Sequence, residues 1–487
     1  MTNLTNSTPA HSGFRFLAWS NLAAQSAEQV ALSAAAIVAV LMLGASEGQA
    51  GLLQVALTLP YLMCAIPAGI LADRMRRARL MVGAELLRAV ALLAILVLVQ
   101  THLMNWLALA ALGFLAASGT VAFSVSAPSL VPSLVPKEQL ATANARIELA
   151  RTVAYAGGPA LGGLLVGSTG AGFAFALATA LSVLAALLLL NVHEPANSAA
   201  PSKRQPLRDA QEGLVFVARH PMLRPIFITQ FVFNTAFFII LAVFVPYAVR
   251  HFALSASGVG LTLGFFGAGM VVGALLAPAL MRRFPFGLIV GIGPFVGLIA
   301  ALIMMLTIWL PIAALAALSF FLFGAGPILW VISTTTLRQS VTPSKLLGRV
   351  TAVNILAYAA RPLGAAIGSV VGWQLGAESC LIVAAAGLLL QAAVICTSPA
   401  ATLHDNVALP GRSSCSDDIR ERLPRFAFLH AAWRTRSRAA ATASWSPSLP
   451  RRPGMSPPPR TPWPTHSHRP WRIGPRMAVQ RILRPGW

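Results

Sequence analysis

Long apolar blocks separated by short polar loops place the strongest limit on what this chain can fold into. Each block is about 20 residues long, which is the length a helix needs to cross the hydrocarbon core of a bilayer. Only 10% of the residues are charged and 56% are hydrophobic, whereas soluble domains carry roughly 25% charged residues. A backbone in hydrocarbon must satisfy its own hydrogen bonds, so the blocks are predicted to be helices. We therefore expect an all-α integral membrane protein.

The blocks number twelve, and one longer polar loop divides them into two groups of six. We predict a six-helix bundle over residues 14–193, a central cytoplasmic loop over residues 194–222 and a second six-helix bundle over residues 223–398. Residues 1–13 form a polar segment ahead of the first block. Residues 399–487 are rich in Arg and Pro and cannot supply a hydrophobic core, so a disordered tail is expected there.

Lys and Arg are concentrated in alternate loops, those after the second, fourth, sixth, eighth and tenth blocks. Under the positive-inside rule these loops face the cytoplasm, which places both termini there as well. We expect a multi-pass, monomeric protein of the bacterial inner membrane. Much of the net charge of +22 lies in the tail and the rest in these loops, so the charge does not favour a nucleic-acid partner. The basic loop residues are Arg74, Arg76, Arg77, Arg79, Lys137, Lys203, Arg204, Arg208, Arg219, Arg224, Arg282, Arg283, Arg338, Lys345 and Arg349.

The first block of each group carries a similar pattern, which indicates an internal repeat. The segment FRFLAWSNLAAQ of the first half aligns with LRPIFITQFVFN of the second, so Asn21 corresponds to Gln230 and Gln25 to Asn234. The two amides of each pair are four residues apart and share one helix face. Two pseudo-symmetric six-helix bundles around a cavity at the membrane midplane are the architecture of one large class of transporters.

The loop after the second block reads GILADRMRRARL, beginning at Gly69. It resembles the G-x-L-a-D-R-x-x-R-[RK] motif between helices two and three of the major facilitator superfamily, and its matching positions include Asp73, Arg74 and Arg77. The last basic position of the motif is shifted, because Ala78 lies there. The overall sequence pattern of residues 14–398 is most similar to that of the family branch that contains enterobactin-type and macrolide-type exporters.

The resemblance implies a cytoplasmic gate built from this loop. Gly69 permits close approach of a neighbouring helix, and Asp73 can accept hydrogen bonds from arginines such as Arg74 and Arg76. The family implies that such a cluster stabilises the outward-open state. The alternative is that the arginines only fix topology.

A second motif, G-P-x-x-G-G, lies in the fifth block at Gly158, Pro159, Gly162 and Gly163. It resembles the signature of the exporter branches of the same family, and it favours export over uptake. Proline can bend a helix, and glycines let a neighbouring helix come close. We interpret this segment as a pivot between the halves.

Two isolated ionisable residues are expected deep in the membrane. A charge there carries a large free-energy penalty, so such a residue indicates a functional role. Glu28 lies mid-block, and removal from water disfavours its charged form, so it could bind and release a proton near neutral pH. The alternative is a protonated glutamate that only joins helices. Arg361 lies some 20 Å deep by helical rise and needs a partner, which is either Glu28 or an anion on the substrate.

Two further charged pairs, Glu85 with Arg88 and Glu148 with Arg151, have i,i+3 spacing and are interpreted as local support for the fold. The fourth block lacks the membrane arginine of many proton-coupled relatives, which places a relay built on that residue in doubt. Trp330 and Tyr358 could stack a flat ligand, but packing is the favoured interpretation.

The resemblance and the buried charges together predict a secondary transporter, not an enzyme. We expect it to export a small amphipathic molecule, a drug or a siderophore, by alternating access with proton antiport. An uptake carrier and a non-transporting sensor on the same fold are the alternatives. There is no phosphate-binding G-x-x-x-x-G-K-[ST] motif and no metal-ligand spacing, so no cofactor is expected beyond the proton gradient. The expected substrate contacts are Asn21, Gln25, Glu28, Gln230 and Asn234.

Overall fold

The computed structural model describes residues 9–136, 139–193, 206–343, 346, 350, 353 and 357–399. The side chains of residues 9–12, 73, 141, 206–210 and 339 lie outside this description. Several sequence predictions therefore fall outside the described part, among them residues 194–205 of the central loop and nearly all of the tail. The others are Lys137, Lys203, Arg204, Arg208, Lys345, Arg349 and the carboxylate of Asp73.

Every regular element in the described part of the chain is helical. The first half contains α1 (Pro9–Leu41), α2 (Glu47–Met63), α3 (Ala65–Arg74), α4 (Arg77–Gln100), α5 (Trp106–Leu134), α6 (Leu140–Ser168) and α7 (Ala171–Leu190). The segment predicted as the central loop contains a helix, α8 (Pro206–Arg219). The second half contains α9 (Leu223–His251), α10 (Ala256–Arg283), α11 (Phe286–Leu306), α12 (Ala313–Val341), a 3₁₀ turn (Ala357–Ala359) and α13 (Ala360–Cys396).

Polar side chains fix the short loops by capping the helices that follow them. The Ser46 hydroxyl accepts from the backbone N–H of Gln49 at 3.3 Å, and the Ser46 N–H donates to Gln49 Oε1 at 3.0 Å. This reciprocal pair is a capping box at the start of α2. Asn105 and Ser255 cap α5 and α10 through their side-chain oxygens.

Nine helices in the described ranges are long and apolar enough to cross a membrane, and the bent pair α2 and α3 makes ten. The chain also reverses within α13 at Gly376, which has φ 84°. Cys380 Sγ donates to the Gly368 carbonyl at 3.4 Å, although twelve residues of straight helix would hold them about 18 Å apart. If the two arms of α13 are counted as two spans, the number becomes eleven. The helix α6, which carries Arg151 and two other charged residues and is not among the ten, would be the twelfth. That total stays a prediction.

Neighbour relations in the first half recur in the second. In the first half α1 packs on α6, and α4 packs on α5; in the second half α9 packs on α13, and α11 packs on α12. Buried apolar side chains cluster in each half, around α1, α4 and α7 in the first and around α9, α12 and α13 in the second, and the second cluster also includes Ile37 and Val40 of α1. This arrangement is what an internal repeat of six helices produces.

The two halves meet firmly at one end of the bundle, the end that carries residues 42–46 and 252–255. We call it the Arg-poor end, and the opposite end, which carries Arg74 and Arg282, the Arg-rich end. The Arg-poor end does carry Arg250, and this arginine forms an ion pair with Glu47. The Arg250 guanidinium also donates to the Ala45 carbonyl at 2.9 Å.

Two helix pairs complete this closure. Ser369 Oγ in α13 donates to the Gly48 carbonyl in α2 at 2.7 Å. On α6 and α10, Gly163 and Gly260 meet so closely that a Cβ added at Gly163 would lie 2.6 Å from the Gly260 Cα. Both glycines begin Gly-x-x-x-Gly segments, the spacing that permits tight helix crossings in membranes.

The same faces of α6 and α10 separate toward the Arg-rich end. Leu149 is 62% exposed and Leu275 is 74% exposed, although each continues the helix face that is tightly packed at the Arg-poor end. Within the residues that the structure describes, the protein is therefore closed at the Arg-poor end and open at the Arg-rich end.

Candidate functional site

A cavity of about 270 Å³ lies between the two halves. It is lined by residues of ten helices: α1, α2, α4, α5, α6, α7, α9, α10, α12 and α13. Its wall is mostly apolar and rich in aromatic rings. The polar residues in the lining are Glu28, Gln29, Gln54, Thr58, Tyr61, Arg88, Thr120, Tyr155, Asn234 and Arg361, with Ser33.

Glu28 lies at this cavity in the middle of α1. Its nearest described partner is Tyr61 of α2, whose hydroxyl donates to Glu28 Oε1 at 3.5 Å. No ion pair joins Glu28 to a basic residue in the described part of the chain. The α1 backbone is held in place by Gly158, where an added Cβ would collide with Gln29. The carboxylate is thus positioned by close helix packing and left open to the cavity.

Arg361 faces the same cavity from the first turn of α13. Its Nε donates to Asn234 Oδ1 at 3.3 Å, and Asn234 is in turn held by a bond from its Nδ2 to the Gln230 carbonyl at 2.8 Å. Its guanidinium carbon lies 4.3 Å from the ring centroid of Tyr358 and 5.2 Å from that of Tyr61. No carboxylate within the described ranges forms an ion pair with it. Rings and an amide therefore hold this cation, rather than a countercharge.

The structure separates the five predicted contact residues into two sets. Glu28 and Asn234 line the cavity, whereas Asn21, Gln25 and Gln230 are buried outside its lining. Asn21 Nδ2 donates to the Ile147 carbonyl at 3.2 Å, which ties α1 to α6. In this conformer Asn21 joins two helices instead of facing the cavity.

Glu85 and Arg88 form the predicted i,i+3 ion pair, and it is completely buried, with exposures of 0% and 2%. Arg88 Nε donates to Ser182 Oγ at 2.9 Å and its Nη1 donates to Thr120 Oγ1 at 3.1 Å. Ser182 Oγ donates to Glu85 Oε2 at 2.8 Å, while the other carboxylate oxygen has no partner among the residues described. The network joins α4, α5 and α7, and Arg88 reaches the cavity wall.

Replacing Arg88 with leucine should destabilise the protein strongly. It leaves the Glu85 carboxylate buried without a countercharge, which typically costs about 3–5 kcal/mol. We expect a clear drop in the unfolding temperature of the purified protein. The double variant Glu85→Gln with Arg88→Met, which removes both charges, should recover most of that loss. Equal melting of Arg88→Leu and the unchanged protein would show that the pair contributes nothing to the fold.

The second pair, Glu148 with Arg151, is more exposed and lies nearer the Arg-rich end. Arg151 Nε donates to both carboxylate oxygens, at 3.1 and 3.2 Å, and the guanidinium lies over the Tyr155 ring at 5.6 Å. An exposed pair of this kind contributes little to stability.

The predicted gate motif lies at the bend between α3 and α4. Gly69 has space around it, with its nearest foreign atom, Val125 Cγ1, 3.9 Å from an added Cβ. Arg74 and Arg76 are exposed and Arg77 is half-buried. In this conformer the Arg-rich end is open, and the role of the motif as a gate stays a prediction.

The G-P-x-x-G-G motif faces two helices at once. Gly158 and Gly162 lie against α1, at Gln29 and Val30, whereas Gly163 lies against α10 of the other half. Pro159 lies inside a helix that continues through it. Close packing on both neighbours is established, and the pivot role stays a prediction.

Sequence reasoning missed Tyr61 and Tyr155, and it named Tyr358 only as an aromatic that could stack a ligand, with packing favoured. The chain has only four tyrosines, and Tyr61, Tyr155 and Tyr358 all lie at the cavity or at Arg361. Tyrosines are rare in these apolar blocks, and that rarity was the sequence signal that could have pointed to the site. Trp330, by contrast, packs in an apolar cluster away from the cavity, as the packing interpretation expected.

His220 lies outside the membrane helices, at the start of α9. Its Nδ1 accepts from the backbone N–H groups of Met222 and Leu223 at 3.3 and 3.4 Å. Burial lowers the pKa of the His220 imidazole, which keeps that nitrogen available as an acceptor. The described residues contain no group of His, Cys, Asp and Glu arranged to hold a metal.

Residues 16–369 match the family model described as the Major Facilitator Superfamily. An uncharacterized MFS-type transporter, y4rN of Sinorhizobium fredii, is 33% identical over 253 residues, which is 50% of this chain and 60% of that protein. Macrolide efflux protein A of Enterococcus faecalis is 26% identical over 303 residues, covering 60% of this chain and 91% of that protein. Enterobactin exporter EntS of Citrobacter koseri is 28% identical over 269 residues, covering 54% of this chain and 61% of that protein.

Solved transporter structures share the fold at low sequence identity. A bacterial homolog of the human lysosomal transporter Spinster, in an inward-facing and unoccupied conformation, aligns with a TM-score of 0.63 at 14% identity, covering 83% of this chain and all of that one. A D-xylose-proton symporter aligns with the same TM-score at 12% identity, covering 82% of this chain. The family match, the helical architecture and the central cavity agree, and the chain belongs to the Major Facilitator Superfamily of membrane transporters.

Proposed function

We propose that this protein exports a small amphipathic molecule across the bacterial inner membrane by alternating access, driven by proton antiport. One observation carries the proposal: a cavity between the halves holds the Glu28 carboxylate, which has no basic partner in the described part of the chain. A carboxylate so placed can be neutralised either by a proton or by the substrate. Competition between the two for one group is what antiport requires.

Topology and relatives support export as the direction of transport. If the Arg-rich end faces the cytoplasm, as the positive-inside rule predicts, this conformer loads from the cytoplasm. Substrate then enters past the exposed faces of α6 and α10 and meets the aromatic wall. Two relatives bear names that denote efflux, for a macrolide and for enterobactin. Both termini would be cytoplasmic, and the carrier would work as a monomer without a cofactor.

In this proposal the charged groups have distinct roles. Glu28 carries the proton, Asn234 and Arg361 supply polar contacts to the substrate, and the aromatic wall holds its apolar body. The buried pair Glu85 and Arg88 neutralises itself and stabilises the wall. When the halves rock, the gate motif at Asp73 would close the Arg-rich end, and the contacts at the Arg-poor end would break.

Inverted membrane vesicles that contain the protein test this directly. Their cytoplasmic face is outward, so an exporter moves substrate inward when a pH gradient is imposed. We expect uptake of ethidium or erythromycin that collapses with nigericin, which removes the pH gradient. Gradient-driven movement out of these vesicles would instead identify an uptake carrier. No movement of any compound in a broad panel would favour a sensor.

A further inference from the structure

One tyrosine joins the two isolated charges of the cavity. Tyr61 donates its hydroxyl to Glu28 Oε1 at 3.5 Å and presents its ring to the Arg361 guanidinium at 5.2 Å. Glu28 and Tyr61 belong to the first half, whereas Arg361 belongs to the second. The contact therefore crosses the interface at the depth of the cavity, where α2 also touches the Ala357–Ala359 turn.

We propose that Tyr61 is the positioning residue that links the protonation of Glu28 to the placement of Arg361. This inference rests on the proposed function, because it takes Glu28 as the proton site. It names a residue through which one proton affects both halves of the carrier.

The chemistry at the hydroxyl depends on the charge of Glu28. An ionised carboxylate only accepts hydrogen bonds, so the phenol donates to it and gains a charge-assisted bond. A protonated carboxyl is itself a donor and no longer requires the phenol proton. At 3.5 Å the contact is longer than a usual O–H···O hydrogen bond, so a small rotation makes or breaks it.

The chemistry at the ring depends on the hydroxyl. A cation over an aromatic face is attracted by the electron density of the ring. A phenol that donates toward an anion shifts electron density into its ring, which strengthens its hold on Arg361. Protonation of Glu28 removes that donation and weakens the hold. The other supports of Arg361, from Tyr358, Phe238 and Asn234, all come from its own half.

Other charged and titratable groups also face this part of the cavity. They are Arg88 of α4, which pairs with Glu85 behind the wall, and Tyr155 of α6. The Glu148 and Arg151 pair lies further along α6, outside the lining. In the described parts of α5, α7, α9 and α10 no ionisable side chain lines the cavity. All these groups are unchanged in the variants below, so they contribute equally to each titration.

Infrared titration of the purified protein tests the link without any substrate. The carboxyl band of Glu28 is defined as the difference between the protein and its Glu28→Gln variant. Tyr61→Phe removes one oxygen atom and keeps the ring. We expect it to raise the titration midpoint of Glu28 by about one pH unit, the value of one hydrogen bond to a charged group. Tyr247→Phe, the same change at the far Thr307 contact, should leave the midpoint unchanged.

A double-variant cycle tests the second arm. Arg361→Gln should also raise the midpoint, and combining it with Tyr61→Phe should give less than the sum of the two shifts, because Tyr61 transmits part of the effect. An unchanged midpoint in Tyr61→Phe, or strictly additive shifts, would overturn the link while leaving Glu28 as a proton site. A Glu28 band that does not titrate at all would instead overturn the proposed proton coupling.

Discussion

Replacing Glu28 with glutamine is expected to abolish uphill transport driven by a pH gradient. The amide has nearly the shape of the carboxyl group but cannot take up or release a proton. It can still accept from Tyr61, so the cavity keeps its shape. Gradient-driven movement of ethidium into inverted vesicles should therefore fall to the level of vesicles without the protein. Downhill exchange of the dye should persist, because it needs only the rocking of the two halves.

Glu148→Gln is the matched control for this variant. This substitution makes the same chemical change in the exposed ion pair of Glu148 with Arg151, which lies away from the cavity. It should retain gradient-driven transport and its pH dependence. Transport by Glu28→Gln at the normal rate with the normal pH dependence would show that the proton is carried elsewhere.

A disulfide across the Arg-poor end should stop transport completely and reversibly. A Cβ added at Gly167 of α6 would lie 3.2 Å from the Ser257 nitrogen of α10 and in contact with its side chain. Cysteines at both positions thus fall in the range where a disulfide forms. The bond would hold this end closed, and the cycle could not reach the state open on that side. A reducing agent should restore transport.

The background for this test needs the four native cysteines replaced by alanine. Each single variant, Gly167→Cys and Ser257→Cys, serves as a control, and both should be insensitive to oxidation. Full transport with the disulfide shown to be formed would mean that α6 and α10 do not separate during the cycle.

The fold could be predicted from the sequence because its main signal is strong and local. Apolar blocks of the length of a membrane span can only be helices, and caps such as Ser46 mark where they begin. The loop motif at Gly69 and the repeat of amides at Asn21 and Gln230 led to the family that the comparison shows. The exact number of spans was harder, because α2 bends and α13 reverses without a polar loop.

The site could be predicted only in part. Glu28 and Arg361 were found because a charge in an apolar block is conspicuous. Tyr61 was missed because a helix that is apolar all round gives no sign of which face meets a cavity. The same ambiguity explains Gln25, which shares a helix with Glu28 yet lies outside the cavity lining.

Arg88 shows a second limit of sequence reasoning. Its spacing from Glu85 predicted the ion pair, but the partners on α5 and α7 depend on the tertiary packing of three helices. The fourth span, α5, has no arginine of its own, yet its Thr120 hydroxyl accepts a hydrogen bond from the Arg88 guanidinium of α4. A contact between two helices of this kind cannot be predicted from the sequence of either helix alone.

Distances between spin labels at the two ends test alternating access most directly. One pair, at Thr169 and Ala253, spans the closed Arg-poor end, and the other, at Arg79 and Arg283, spans the open Arg-rich end; all four residues are exposed. Both pairs would be measured by double electron–electron resonance at acid and alkaline pH, and in Glu28→Gln. The account predicts opposite changes, so that whichever distance lengthens, the other shortens. Two distances that change in the same direction, or that do not change between these conditions, would contradict it.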